Sequence, residues 1–222
     1  MKKVLVLVAA TIFGSLAFAE KVMEVGVKGG LLLNAGTKLD DDIYADLNPS
    51  EKMTLGGDVG IFGHFGLVDL GPGTLSLQPE VFFSFANGVR AEFEYDYWAT
   101  QKYNSLDIAL LVGYDIPVGK ISIRPFLGPK VGIPIGKMKF DNNFEDEDSK
   151  KDTKMKGATI GMDFGCGIAI PFGKFVLGAD VRYGIDFNKV KLQSKNNDGS
   201  TEDVDFFRRG ALGINITAGY RF

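Results

Sequence analysis

Apolar residues fall on every second position over long stretches of this chain. Leu212, Ile214, Ile216, Ala218, Tyr220 and Phe222 alternate with Gly213, Asn215, Thr217, Gly219 and Arg221. A period of two marks a strand with two unlike faces. The stretch before it does the same: Phe175, Leu177, Ala179, Val181, Tyr183, Ile185 and Phe187 alternate with Val176, Gly178, Asp180, Arg182, Gly184 and Asp186. Ile160 to Ile170, Leu106 to Ile116 and Ile121 to Ile135 carry apolar runs of the same kind. The pattern predicts eight strands, near residues 22–34, 55–69, 74–86, 104–117, 120–140, 157–171, 174–192 and 207–222. Several exceed the roughly 9–11 residues that cross a bilayer at a tilt. The second is the least regular, because Phe62 shares a face with polar residues, as Phe82 does on the third.

The connections alternate in length. Tight turns follow the second, fourth and sixth strands: Leu70-Gly71-Pro72-Gly73, Pro117-Val118-Gly119-Lys120 and Pro171-Phe172-Gly173-Lys174. Glycine there supplies the positive φ of a tight hairpin. After the first, third, fifth and seventh strands, polar loops of a dozen to twenty residues are expected. They carry charge runs such as Lys38-Leu39-Asp40-Asp41-Asp42, Glu145-Asp146-Glu147-Asp148 and Ser194 to Gly199. These read as solvated loop tips.

Strand period alone does not say which face is inside. A soluble ligand barrel would hold the apolar face inward. Three features favour a barrel with that face turned to lipid. The apolar face is continuous on nearly every strand. Aromatics gather near strand ends (Phe140, Phe172, Phe175, Phe187, Tyr220, Phe222), as an interfacial girdle would. The first 19 residues read as a secretory signal, with Lys2 and Lys3, an apolar run, and Ala17-Phe18-Ala19 before a cut at Glu20. The expected organisation is a signal peptide over 1–19 and one all-β domain, an eight-stranded antiparallel up-and-down transmembrane barrel, over 20–222.

With the apolar face outward, the inner face holds charges of both signs. Lys28, Arg124, Lys130 and Arg182 stand against Glu24, Asp58, Glu80, Asp107, Asp115, Asp163, Asp180 and Asp186. Buried charges are tolerated when paired or hydrated. An eight-stranded barrel is just wide enough for side chains to fill. A closed lumen packed with ion pairs is therefore expected, with inward glycines making room for the long side chains. Arg182 is expected to meet one of Asp163, Asp180, Asp107 or Asp115.

In these features the chain resembles the small outer-membrane β-barrel family that includes the OmpA transmembrane domain, OmpX and Ail. The ending Tyr220-Arg221-Phe222 resembles the C-terminal signal read by the barrel-assembly machinery, with Thr217 where that signal usually has glycine. The resemblance implies an outer-membrane location, loops outside and both termini in the periplasm. It implies outer-membrane lipid, periplasmic chaperones and the assembly machinery as partners, a monomer, and an extracellular ligand for the loops. It also implies a non-enzymatic surface role in adhesion, host-factor binding or envelope integrity. A narrow channel and a lipid-modifying barrel enzyme are the alternatives.

Other chemistry finds little support. The one histidine, His64, has no serine close in sequence and is expected to pair inside with Asp58 or Glu80. The acidic run at 145–148 lacks EF-hand spacing. Net charge is −3, with no basic patch for nucleic acid. Glycine-rich stretches sit within strands and open no helix that could hold phosphate, so no cofactor is expected. The one cysteine, Cys166, lies on an apolar face and reads as a small hydrophobe.

Overall fold

The computed structural model describes residues 23–37, 50–92, 97–143, 153–195, 201–205 and 208–222. The expected signal segment and the acidic run at 145–148 lie outside the described residues. The strands are β1 (Met23–Thr37), β2 (Ser50–Lys52), β3 (Thr54–Leu70), β4 (Gly73–Glu92), β5 (Trp98–Val118) and β6 (Ile121–Asn142). They continue as β7 (Thr153–Lys156), β8 (Thr159–Phe172), β9 (Phe175–Asp186), β10 (Lys191–Lys195), β11 (Thr201–Asp205) and β12 (Arg208–Arg221).

Eight long strands close a ring in the order β1-β3-β4-β5-β6-β8-β9-β12, every neighbour antiparallel. Closure is made by β1 on β12, in register from Glu24↔Arg221 to Thr37↔Arg208. The tight turns hold Gly71, Gly119 and Gly173 at φ of 62°, 63° and 65°. The Phe222 N–H donates to the Met23 carbonyl, so both described ends lie at the short-turn end of the ring.

At the opposite end the strands run on beyond the ring. The third connection is shorter than expected, because β4 and β5 continue as a paired hairpin to Glu92↔Trp98. The expected end of that strand, residue 86, is a bulge. Ala86 takes φ 55° and the β4–β5 register shifts between Ser84 and Asn87. An extra residue reverses the alternation, so Asn87, Val89 and Ala91 turn to the side that Glu80, Phe82 and Ser84 face below. The seventh predicted strand is divided. Past Asp186 the Asn188 side chain accepts from Ile160 N (2.6 Å) and donates to the Ala158 carbonyl (2.9 Å), taking groups a continuing ladder would use. The chain then resumes as β10, which pairs with β7 and β11 beside the top of β6.

The two faces differ as the pattern requires. Val27, Val59, Ile61, Leu177, Val181 and Ile214 are exposed on the outside, while Lys28, Asp58, Glu80, Asp163 and Arg182 are buried. Phe172, Phe175 and Phe222 are exposed near the short-turn end, and Tyr220 stacks edge-on against Phe175 and Phe222. Phe140 does not belong to that outer girdle. It packs on an inner apolar cluster at the loop end, because β6 carries it beyond the ring.

The outward band, read as lipid-facing, predicts the effect of a charge. Val181→Arg should lower folding stability in lipid vesicles by roughly 2–4 kcal/mol, the range for Arg near mid-membrane. Denaturant unfolding followed by Trp98 fluorescence measures it. Unchanged stability would reverse the face assignment.

Candidate functional site

Arg182 on β9 and Glu80 on β4 stand four strands apart around the ring, yet their side chains touch. Arg182 Nη1 donates to Glu80 Oε2 at 2.7 Å, and Nη2 to Oε1 at 3.1 Å. Such a contact can only cross the interior. The charged residues therefore form one column inside the barrel.

At the short-turn end, Arg124 Nε donates to Asp115 and Nη1 donates to Gln78 Oε1 at 2.7 Å. His64 Nε2 lies 3.1 Å from Asp115 Oδ2 and 3.2 Å from Arg124 Nη2. Arginine only donates and carboxylate only accepts, so the imidazole tautomer decides which of the two contacts is a hydrogen bond. The expected partners of His64, Asp58 and Glu80, are thus corrected to Asp115. Register explains this: β3 places Glu24 opposite His64, and the tight turns bring the lower parts of β5 and β6 to the same level. Glu24 takes Arg221 Nη2 at 3.3 Å.

Gln78 Nε2 donates to Glu80 Oε1 at 2.7 Å and links this group to the centre. There Glu80 also takes Lys28 Nζ at 3.1 Å. Arg182 Nε donates to Asp180 Oδ1 at 2.9 Å, an oxygen shared with Asn215 Nδ2 at the same distance. Asp163 Oδ2 is 3.7 Å from Arg182, and its Oδ1 is 2.9 Å from Lys130 Nζ. Of the four aspartates expected near Arg182, Asp180 and Asp163 are its neighbours. Asp107 and Asp115 belong to Arg209 and Arg124, and the main partner is Glu80. Asp58 is buried here, with no hydrogen bond to either carboxylate oxygen among the described residues.

The upper group is built on Asp107. Its oxygens accept from Arg209 Nη2 (3.1 Å), Ser84 Oγ (2.6 Å) and Ser105 Oγ (2.9 Å). Arg209 Nε and Lys130 Nζ flank Asp186 at 3.5 and 3.6 Å. Arg209, Gln78 and Asn215 are absent from the expected set. Their parity could have found them: Arg209 shares it with Gly213, and Gln78 with Glu80. Above this group the interior turns apolar, where Val89, Tyr103, Met138, Val190 and Leu192 form a buried cap.

Glycines fit these charges into so narrow a tube. A Cβ at Gly184 would sit 2.5 Å from Asp163 Oδ1 and 2.6 Å from Lys130 Nζ. Phe126 and Phe82 supply ring faces to Arg182 (5.2 Å) and Lys28 (4.5 Å), contacts that favour a cation. Among the described residues no cluster of His, Cys, Asp and Glu could hold a metal ion.

This architecture matches a known family. The model of the outer membrane protein beta-barrel domain matches residues 18–190. The chain belongs to that family. A major outer membrane protein of Thermus thermophilus has the same fold, at 14% identity and TM-score 0.54, over 91% of this chain and 100% of that one. OprG of Pseudomonas aeruginosa aligns at 15% identity and TM-score 0.48, over 92% and 98%. Ail of Yersinia pestis, solved with the heparin analogue sucrose octasulfate, aligns at 16% and 0.39, over 91% and 100%. No curated protein matches the sequence. Membership puts the barrel in an outer membrane, so its exposed apolar band stands in lipid.

The column predicts strong coupling at its centre. Removing one partner of a buried pair costs about 3–5 kcal/mol at most, because the other charge is stranded. Arg182→Met with Glu80→Gln should cost less than the sum of the two singles, by at least ~1 kcal/mol. Arg182→Met with Asp115→Asn should be close to additive. Unfolding of singles and doubles in vesicles decides it, and additivity for the Glu80 pair would contradict the geometry.

Proposed function

We propose that this protein is a sealed, non-enzymatic anchor whose loop end carries its surface role, in adhesion, host-factor binding or envelope integrity. One observation carries the reading: among the described residues, side chains occupy the interior from His64 and Arg124 near the short-turn end up to an apolar cluster at the loop end. Two spaces in the charged column measure about 30 and 20 Å³. A cavity needs at least about 10–15 Å³ to hold one water, so each has room for one or two. Above them the apolar cap of Val89, Tyr103 and Met138 closes the tube.

What extends beyond the ring is at the other end from the tight turns. The β4–β5 hairpin and the small β6-β7-β10-β11 sheet rise there. In this reading they face the outside, and both termini face the periplasm. Outer-membrane lipid surrounds a monomer. Periplasmic chaperones and the assembly machinery read the C-terminal strand, with Tyr220 and Phe222 as its signal. The burial of His64 against Asp115 and Arg124 supports a structural histidine over a catalytic base, which must reach substrate.

Two measurements test this. In planar bilayers the purified barrel should give no steady conductance steps, and regular steps would replace the anchor with a channel. On intact cells, protease sites inserted at 141–151 or 194–203 should be cut, and those at Gly71, Gly119 or Gly173 protected. The opposite result would invert the orientation.

A further inference from the structure

Phe65 is out of place. It shares the outward face of β3 with Val59 and Ile61, which are 56% and 57% exposed, yet it is only 2% exposed itself. Its ring folds back over Gly63, where a Cβ would sit 2.9 Å from the ring edge and 3.6 Å from Pro79. Pro79, on the outward face of β4, is buried with it. The wall here is dished inward. The outer surface of β1, β3, β4, β5 and β6 forms a groove of about 550 Å³, with Phe65 and Pro79 among its lining.

Prolines account for the dish. The β3–β4 ladder runs from Phe62↔Glu80 to Phe65↔Leu77 with no partners between, at the level of Pro79. The β5–β6 ladder passes from Ala109↔Lys130 to Val112↔Leu127, skipping Pro129. Proline has no N–H to give a neighbouring strand. Leu110, which pairs with Pro79, thus has an interrupted ladder on its β6 side. Two relaxed seams flank the β4–β5 pair.

The far end of the groove is one apolar row. Val27 pairs with Ile61, Ile61 with Val81, Val81 with Ile108, and Ile108 with Val131. The near end is Met23 and Phe65, direct partners close to the tight turns. Apart from Glu80, whose carboxylate is committed to Arg182 and Lys28 inside, the lining is apolar.

We propose that this groove seats one acyl chain of a membrane lipid from the leaflet at the short-turn end, its tip reaching the Ile61–Val81–Ile108 row. The assignment rests on the outer-membrane placement of the barrel. The groove is continuous with the lipid-facing band, so hydrocarbon and not water is its solvent. Its volume lies within the roughly 300–1,000 Å³ of pockets that bury most of a small ligand. It has no polar group free to orient a headgroup, and so it selects a chain by shape. The chain replaces contacts that the wall would otherwise lack, since an unfilled concavity forfeits dispersion on one side.

The test uses the full barrel in phospholipid vesicles doped with a phosphatidylcholine that bears a diazirine at the tip of one acyl chain. After irradiation, adducts are mapped by mass spectrometry. They should concentrate on peptides holding Ile61, Val81 and Ile108, several-fold above the opposite wall of β8, β9 and β12. Val81→Trp, or the milder Val81→Phe, should fill the groove and reduce those adducts severalfold. Leu177→Trp on the far wall should leave them unchanged. Heat-modifiable gel migration selects folded variants. Even labelling around the ring, or labelling that ignores Val81→Trp, would overturn the groove while leaving the barrel in the membrane. Labelling of that row that disappears as the protein-to-lipid ratio rises, while the opposite wall keeps its own, would overturn it in favour of a dimer seat. No labelling of any wall would mean the barrel is not in lipid, and both readings would fall.

Discussion

Hydrocarbon offers no hydrogen bonds, so every backbone N–H and C=O of a spanning sheet must find a partner within the sheet. That constraint closes β1 on β12 and leaves no open edge within the ring. The interior of the barrel follows from closure. Eight strands leave a bore about as wide as the side chains that line it. A bore of that size can be filled by side chains that neutralise one another, and here they do. The column from Glu24 to Asp107 is held by contacts that cross the ring, such as Arg182 to Glu80, as well as by neighbours along it. Removing one member of such a group costs more than breaking an exposed pair, because the partner left behind cannot turn to water.

The same closure explains why glycine lies beside the charges. Each inward strand position has a register partner on the neighbouring strand whose side chain leans into the same narrow bore. A side chain at Gly30 would overlap Asn215 Oδ1, as one at Gly184 would meet Asp163 and Lys130. Arg182 and Lys130 can extend because the neighbouring strand withdraws its side chain at that level. Large and absent side chains are thus two halves of one packing solution. At the loop end the solution changes from charge to apolar contact. Beyond the bulge at Ala86, the inner face of β4 becomes Val89 and Ala91, which meet Met138 and Leu192. Beyond the closed ring the strands need an ordinary core, and this cluster is one.

Alternation made the eight strands and their two faces legible, because lipid outside and charge inside impose opposite chemistry on successive residues. The positive-φ glycines of the tight turns were legible for the same local reason. Partners were not. Parity says that Arg182 points inward, but not at what height or toward which strand. Glu80 meets it across four strands, a relation set by the tilt and stagger of the closed ring. The same gap hid Asp115 as the partner of His64. The bulge was hidden for another reason. Ala86 itself, and not the Asn87-Gly88 that follows it, takes the left-handed φ, so the regular strand ended there on paper while β4 continued.

Closure also has a weak point, and its position is informative. Pro79 and Pro129 remove two N–H donors from the seams of β3–β4 and β5–β6, in the part of the molecule where a lost ladder bond is hardest to replace. Leu or Val at either position would keep the ladder whole and the outer face just as apolar. The sheet instead dishes inward, and Phe65 covers the bare backbone at Gly63. An aromatic ring laid over a glycine shields polar backbone from lipid, which limits the loss. The remaining cost is accepted on the wall where the groove lies, whereas the β12–β9 seam across the ring pairs without a gap from Gly210 to Tyr220. Had the prolines served only to end a strand or blunt an edge, they would sit at a rim. They sit between Glu80 and the tight turns, facing lipid, so their consequence is the shape of the wall that lipid meets.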